Sequence, residues 1–227
     1  MKKRCILLIF LLVLTLPGCT PELPGTTAAK PVIYLYPRRL FRLPGGKIEA
    51  GEIADLTVLD LNWPHAIDST LFFSRGRSTP FDGWTVTAAP DGTLTDREGR
   101  AYYCLFWEGI SSQNWDFSQG FCVRGANTAA FLEEALSQLG LTDREANEFL
   151  IYWLPKLEGN AWNLLSFQGT AYTDHARLTM SPQPDTVLRV FLAWKALEEP
   201  VDVEPQILTA PDRQGFTLVE WGGCQVF

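Results

Sequence analysis

Residues 187 to 194, Val-Leu-Arg-Val-Phe-Leu-Ala-Trp, contain one charged side chain, Arg189, among seven apolar ones. A strand that exposes one face alternates apolar and polar residues, and this segment does not. It suits a central strand covered on both faces. A charge placed there needs a partner, and Glu108 or Glu220 is the expected one, at the ends of other apolar segments.

Further strands are legible around it. Pro31 to Pro37 is apolar, β-branched and aromatic, with proline at each end, and reads as a buried strand. Leu56 to Leu61 and Thr70 to Ser74 are two more candidates. Gly83 to Ala88 alternates Trp84, Val86 and Ala88 against Thr85 and Thr87, the pattern of a half-buried strand. Pro90-Asp91-Gly92 is a turn: proline presets φ and glycine accepts a positive value. Thr93 to Thr95, a second turn at Asp96 to Arg100, and Ala101 to Glu108 complete an expected three-stranded meander. Asn163 to Phe167, Ala176 to Met180 and Phe216 to Trp221 carry later strand signals.

The period changes between them. Phe131, Leu132, Ala135, Leu136 and Leu139 recur at helical spacing, with Gly140 placed as the C′ residue. Thr142 and Glu145 then match a capping box, and the second helix is expected to stop at Pro155. No linker divides the chain beyond residue 30. The expectation is one α+β domain over residues 31–223, mainly antiparallel sheet or sandwich, with an inserted αα-hairpin and a short tail at 224–227.

The N-terminus is a separate matter. Lys2, Lys3 and Arg4 precede an apolar run from Cys5 to Leu16, which is too short to span a bilayer as a helix of roughly 20 residues. It fits the h-region of an export signal. Leu16-Pro17-Gly18-Cys19 resembles the lipobox of bacterial lipoproteins, which implies diacylglyceryl transfer to the Cys19 thiol and cleavage before it. Residues 1–18 are then signal peptide and 19–30, rich in Pro, Thr and Ala, a flexible tether. The expected location is extracytoplasmic, lipid-anchored to a bacterial membrane.

Charge narrows the partners. The net charge is −7 and becomes more negative once the leader's cations are removed. Nonspecific nucleic-acid binding needs clustered Lys and Arg, so no nucleic acid is expected. Candidate partners are the membrane through Cys19 and a cell-wall glycan or envelope protein. The folded region retains Cys104, Cys122 and Cys224. A Cys104–Cys122 bridge is open, and three buried thiols are favoured.

Several motifs occur together: KPVIYLYP at 30–37, GWTVTAAPDGTL at 83–94, LFWEG at 105–109, DFSQGFCVRG at 116–125, REANEFLIYWLPKLE at 144–158, RVFLAWK at 189–195 and GFTLVEWGG at 215–223. In this order they resemble a family of uncharacterised bacterial exported proteins and lipoproteins with no assigned activity. Arg38 to Thr79 departs from that pattern. The resemblance implies a single domain whose first and last strands belong together, and it adds no mechanism.

Catalytic signals are weak. No H-E-x-x-H, C-x-x-C, phosphate loop or G-x-S-x-G elbow is present, so no metal or cofactor is expected. Cys122 with His175 could attack an acyl group if the fold joined them, although Asp174 is poorly placed to orient that histidine. Glu108, Asp116 and Glu220 beside aromatics allow a carboxylate pair of the glycosidase kind, but a structural pair with Arg189 is favoured. Trp84, Trp107 and Trp221 read as core. Trp115 and Trp162, in polar contexts, are the candidate ligand-stacking residues. A ligand-binding or scaffolding envelope domain is the leading expectation, with an extracytoplasmic hydrolase as the alternative.

Overall fold

The computed structural model describes residues 26–37, 54–61, 66–67, 84–111 and 114–227. Its strands are β1 (Thr26–Tyr36), β2 (Ala54–Leu61), β3 (Ala66–Ile67), β4 (Trp84–Ala88), β5 (Leu94–Thr95), β6 (Ala101–Tyr102), β7 (Leu105–Phe106), β8 (Glu108–Ser111), β9 (Phe121–Arg124), β10 (Trp162–Phe167), β11 (Leu178–Ser181), β12 (Thr186–Leu197) and β13 (Thr217–Gln225). The helices are α1 (Thr128–Gln138), α2 (Asp143–Leu157) and α3 (Thr170–His175).

Two sheets form a mainly β, α+β fold. The larger has eight strands, ordered β3-β8-β1-β13-β12-β10-β9, with β7 also paired to β1. The smaller has five, ordered β11-β2-β4-β5-β6. β12 and β13 are parallel, with Arg189 opposite Glu220, and the other strand pairs among the described residues are antiparallel. The first and last strands are neighbours: Tyr34 lies opposite Val219.

The 187–194 run has protein on both faces, as its composition requires. Leu188, Val190, Leu192 and Trp194 pack with Val219, Trp221 and the helical residues Leu132, Leu136, Phe149 and Trp153. On the opposite face, Phe191 and Ala193 join Ile33, Leu35 and Leu218 against Val86, Ala88 and Leu94 of the smaller sheet and Tyr172 of α3. The described residues are therefore layered, with the α1–α2 hairpin, the large sheet, and the small sheet together with α3 in turn.

The helical hairpin follows its sequence signals. Gly140 has φ +82°, and it donates to Ser137 O while Leu141 donates to Leu136 O, a Schellman C-cap. A side chain at Gly140 would also meet Ala210 and Leu188. Thr142 and Glu145 form the reciprocal capping box. Glu145 is buried and accepts a two-pronged bond from Arg213, at 3.1 Å from Nη1 and 2.5 Å from Nη2. Arg213 also donates to Gly140 O.

Four expectations change. α2 runs through Pro155 to Leu157. Proline removes one late hydrogen bond, and Glu158 N–H still reaches Leu154 O, so the last turn survives. The 101–108 segment is broken rather than one long strand: β6 stays in the smaller sheet, whereas β7 and β8 join β1 in the larger. Trp107 N–H donates to Pro31 O at this switch. β1 begins at Thr26, inside the stretch expected to be tether, because its first residues pair with β8. β13 continues to Gln225 with Cys224 buried, so the first half of the expected tail is strand. The leader, Cys19 and the Thr70–Ser74 strand lie outside the described residues.

The Arg213–Glu145 contact makes a pH-dependent contribution. Burial raises the Glu145 carboxyl pKa, but bonds from Arg213 and the Thr142 amide outweigh it and hold it below the usual range. A carboxylate lowered in the folded state stabilises fully above its unfolded pKa, about 4.3, and loses that contribution as pH falls through the folded value. Arg213→Met is expected to cost roughly 2–3 kcal/mol at pH 7 in urea unfolding. The deficit should shrink below about pH 4. A deficit of constant size across that range would refute the pairing as its cause.

Candidate functional site

Arg189 and Glu220 are brought together by the parallel register of β12 and β13, and both point away from the α1–α2 hairpin, toward α3 and the smaller sheet. Arg189 Nε donates to Glu220 Oε2 at 2.5 Å, with the two side chains 6% and 0% exposed. Arg189 Nη1 donates to Ala176 O at 2.6 Å. The other Glu220 oxygen accepts from Trp107 Nε1 at 3.0 Å. Tyr172 completes the centre, its ring 4.7 Å from the guanidinium carbon and stacked on Phe191 at 4.2 Å.

Two buried polar atoms remain here without a hydrogen-bond partner: Arg189 Nη2 and the Tyr172 hydroxyl. The hydroxyl lies against both charges without hydrogen-bonding geometry to either. Burial, then the Glu220 charge, pushes its pKa well above that of an ordinary phenol. Burial opposes the charge on Arg189, but the Glu220 carboxylate more than compensates and raises the guanidinium pKa further. The carboxylate thus holds the buried guanidinium in its charged form.

A cavity of about 170 Å³ adjoins Arg189. Leu178, Met180, Pro184, Val187 and Leu218 give it apolar walls, and Thr173 and Gln183 are its other polar neighbours. Thr173 Oγ1 donates to Thr170 O and Gln183 Nε2 to Met180 O, so both are engaged locally. Among the described residues no carboxylate or thiol lines it. The cavity can hold a small apolar group.

The other candidate residues are dispersed. Cys122 lies on edge strand β9, where its sulfur accepts from Val201 N–H at 3.3 Å. His175 ends α3 with Trp115 edge-on at 6.3 Å, and burial lowers its pKa. Asp174 is exposed on that short helix, which the sequence signals did not reveal. Asp116 is exposed and accepts from the Ser118 amide and hydroxyl; these bonds lower its pKa. Glu108 belongs to β8, and its side chain lies outside the described residues. Cys122 and Cys224 are thiols, so neither bridges to Cys104; burial pushes Cys224 up to about 12. Among the described residues no group of three or more His, Cys, Asp and Glu could hold a metal.

Trp115 is a correction. It is 7% exposed and packs on Phe191 at 5.0 Å, inside the core. Its polar neighbours misled because buried side chains satisfy the loop backbone around it. Ser166 Oγ donates to Asp116 O and Gln119 O, and Gln168 Nε2 also donates to Asp116 O. Trp162 is half-buried, with the Arg124 guanidinium 4.7 Å over its ring. It sits opposite Leu197, about 20 Å along β12 from Phe191, so the two tryptophans do not form one surface. Tyr172 was not singled out in the sequence; the lone arginine in an apolar strand was the signal that a polar centre existed.

No family model matches the chain, and no solved structure matches it. Curated dihydroorotases match part of it. That of Bacillus pumilus is 46% identical over 71 residues, covering 29% of this chain and 17% of the enzyme. That of Halalkalibacterium halodurans is 48% identical over 72 residues, covering 32% and 15% respectively. The chain spans about a sixth of the length of the curated relatives it matches.

The centre should respond as a coupled pair. Glu220→Gln leaves a buried guanidinium uncompensated and is expected to cost roughly 3–5 kcal/mol in urea unfolding. The Arg189→Met, Glu220→Leu double variant should recover at least half of that loss, because both charges leave together. Equal destabilisation of the single and double variants would show that charge balance is not what this centre requires.

Proposed function

We propose that the protein is a lipid-anchored extracytoplasmic domain that binds or scaffolds a component of the bacterial envelope. The observation that carries this reading is Leu16-Pro17-Gly18-Cys19 at the end of a basic-then-apolar leader. The resemblance to exported proteins and lipoproteins supports it. Two acyl chains hold a protein on a membrane stably, where one is marginal.

Binding is favoured over hydrolysis by the state of the described candidates. Glu220 is tied to Arg189 and Trp107, and an internally neutralised carboxylate is a poor acid or nucleophile. Asp116 is held in a surface turn. Cys122 faces the Val201 amide rather than a base. The partner classes are cell-wall glycan and envelope protein. The likeness to dihydroorotases covers too little of those enzymes to bring their activity with it.

Metabolic labelling with a palmitate analogue tests the anchor. The full-length protein should be labelled, and Cys19→Ala should abolish the label. A label that persists in Cys19→Ala would refute the assignment. Retention of the unacylated variant on purified peptidoglycan, or its crosslinking to one envelope protein in cells, is the expected sign of a bound partner.

A further inference from the structure

The lipid-anchor reading has a geometric consequence, and the inference here rests on that reading. Seven chain steps separate Cys19 from Thr26, where β1 begins. Fully extended, they span at most about 25 Å. β12 has twelve residues, about 36 Å from end to end. The tether is thus shorter than the sheet is long, so one end of the sheet is held near the membrane.

Strand direction identifies what lies at that end. Ala29 of β1 pairs with Gly223, which brings the C-terminal end of β13 there. The parallel pairing puts Trp194 opposite Gln225, so β12 also ends there. β10 starts there with Trp162 opposite Leu197, and β9 ends there with Arg124 opposite Trp162. Asn163 Nδ2 donates to Leu157 O, which ties the C-terminal end of α2 to the same place.

These termini carry side chains suited to a membrane interface. Phe227 is fully exposed. Trp162 is half-buried beneath the Arg124 guanidinium, and Lys156 Nζ sits 4.0 Å over the Tyr152 ring. Aromatic rings with long cationic side chains place an apolar body in the acyl boundary and a polar tip in the headgroups. The same end exposes Glu158, Glu198, Glu199 and Asp202, which offset its cations. Its contact with lipid therefore does not depend on anionic headgroups.

We propose that this end of the sheet rests on the bilayer holding the Cys19 acyl chains, with Trp162 and Phe227 at the headgroup–acyl boundary. Tethering makes the contact intramolecular, so a weak aromatic interaction is sufficient to orient the domain. Trp162 thereby becomes a lipid-facing residue instead of a platform for glycan. The opposite end, around Thr186 and Thr217, faces away from the membrane.

The test uses the full-length acylated protein in phosphatidylcholine vesicles doped with a headgroup-nitroxide lipid. An environment-sensitive fluorescent amino acid replaces either Gly159 or Ile207. Gly159 has no heavy atom within 4 Å of an added Cβ, and Ile207 is 91% exposed. Gln206 binds Phe167 at the far end of β10, so Ile207 reports that end. Quenching at 159 should exceed that at 207 severalfold, and Phe227→Ser should reduce the ratio. Equal quenching, stronger quenching at 207, or a difference that appears only with anionic lipid would overturn the proposal. Intact mass of the same sample separates the two readings. An unacylated chain overturns the anchor and the orientation together, whereas an acylated chain with equal quenching overturns the orientation alone.

Discussion

β12 and β13 lie side by side and run the same way, and a parallel pair cannot be closed by a tight turn. The chain leaves β12 at Leu197 and must return the length of the sheet to start β13 at Thr217. Here the return is made without a helix. Leu208 and Ala210 are packed against the helical side of the core, and Arg213 is fixed by Gly140 O and the Glu145 carboxylate. Asp185 receives the Phe216 amide where the new strand begins. The connection thus completes the apolar layer that covers one face of the central strands while delivering β13 in register. That register alone places Glu220 beside Arg189.

The ion pair follows from this arrangement. Two full charges inside a protein are stabilising only when each is matched and its remaining hydrogen-bonding groups are met. Glu220 meets this condition with both oxygens, one on Arg189 and one on Trp107. Arg189 leaves one nitrogen over, beside a phenol in the same condition. The centre spans β12, β13, α3 and the switch at Trp107, so it links the large sheet to the layer above it. Its geometry specifies how those layers meet.

How much of this could be read from residues alone depended on whether the deciding interaction was local. The capping box at Thr142–Glu145, the Gly140 terminus and the Pro90-Asp91-Gly92 turn are decided within a few residues, and each forms where its signal lies. The central strand and its arginine were legible because seven apolar neighbours leave a charge few options. Trp115 was misplaced because its burial is decided by Ser166 and Gln168, some fifty residues away. The break in the 101–108 strand is likewise decided at long range: Leu105 and Phe106 pair with Ile33 and Val32 of β1. α3 is a six-residue helix with no capping side-chain bond, so it left no pattern to find.

The Gln206 side chain bonds to both the amide and the carbonyl of Phe167, at 2.8 and 2.9 Å. It occupies the position another strand would take beside β10 ahead of the start of β9. Glu204 adds a bridge to Gln119 and accepts from Gly120 just before β9. A stretch of open backbone is thereby closed by one amide and a short length of loop. Uncovered backbone of this kind lets neighbouring molecules zip together. In this protein a glutamine side chain and a short loop occupy that margin, so the backbone of Phe167 is not open to a neighbour's strand.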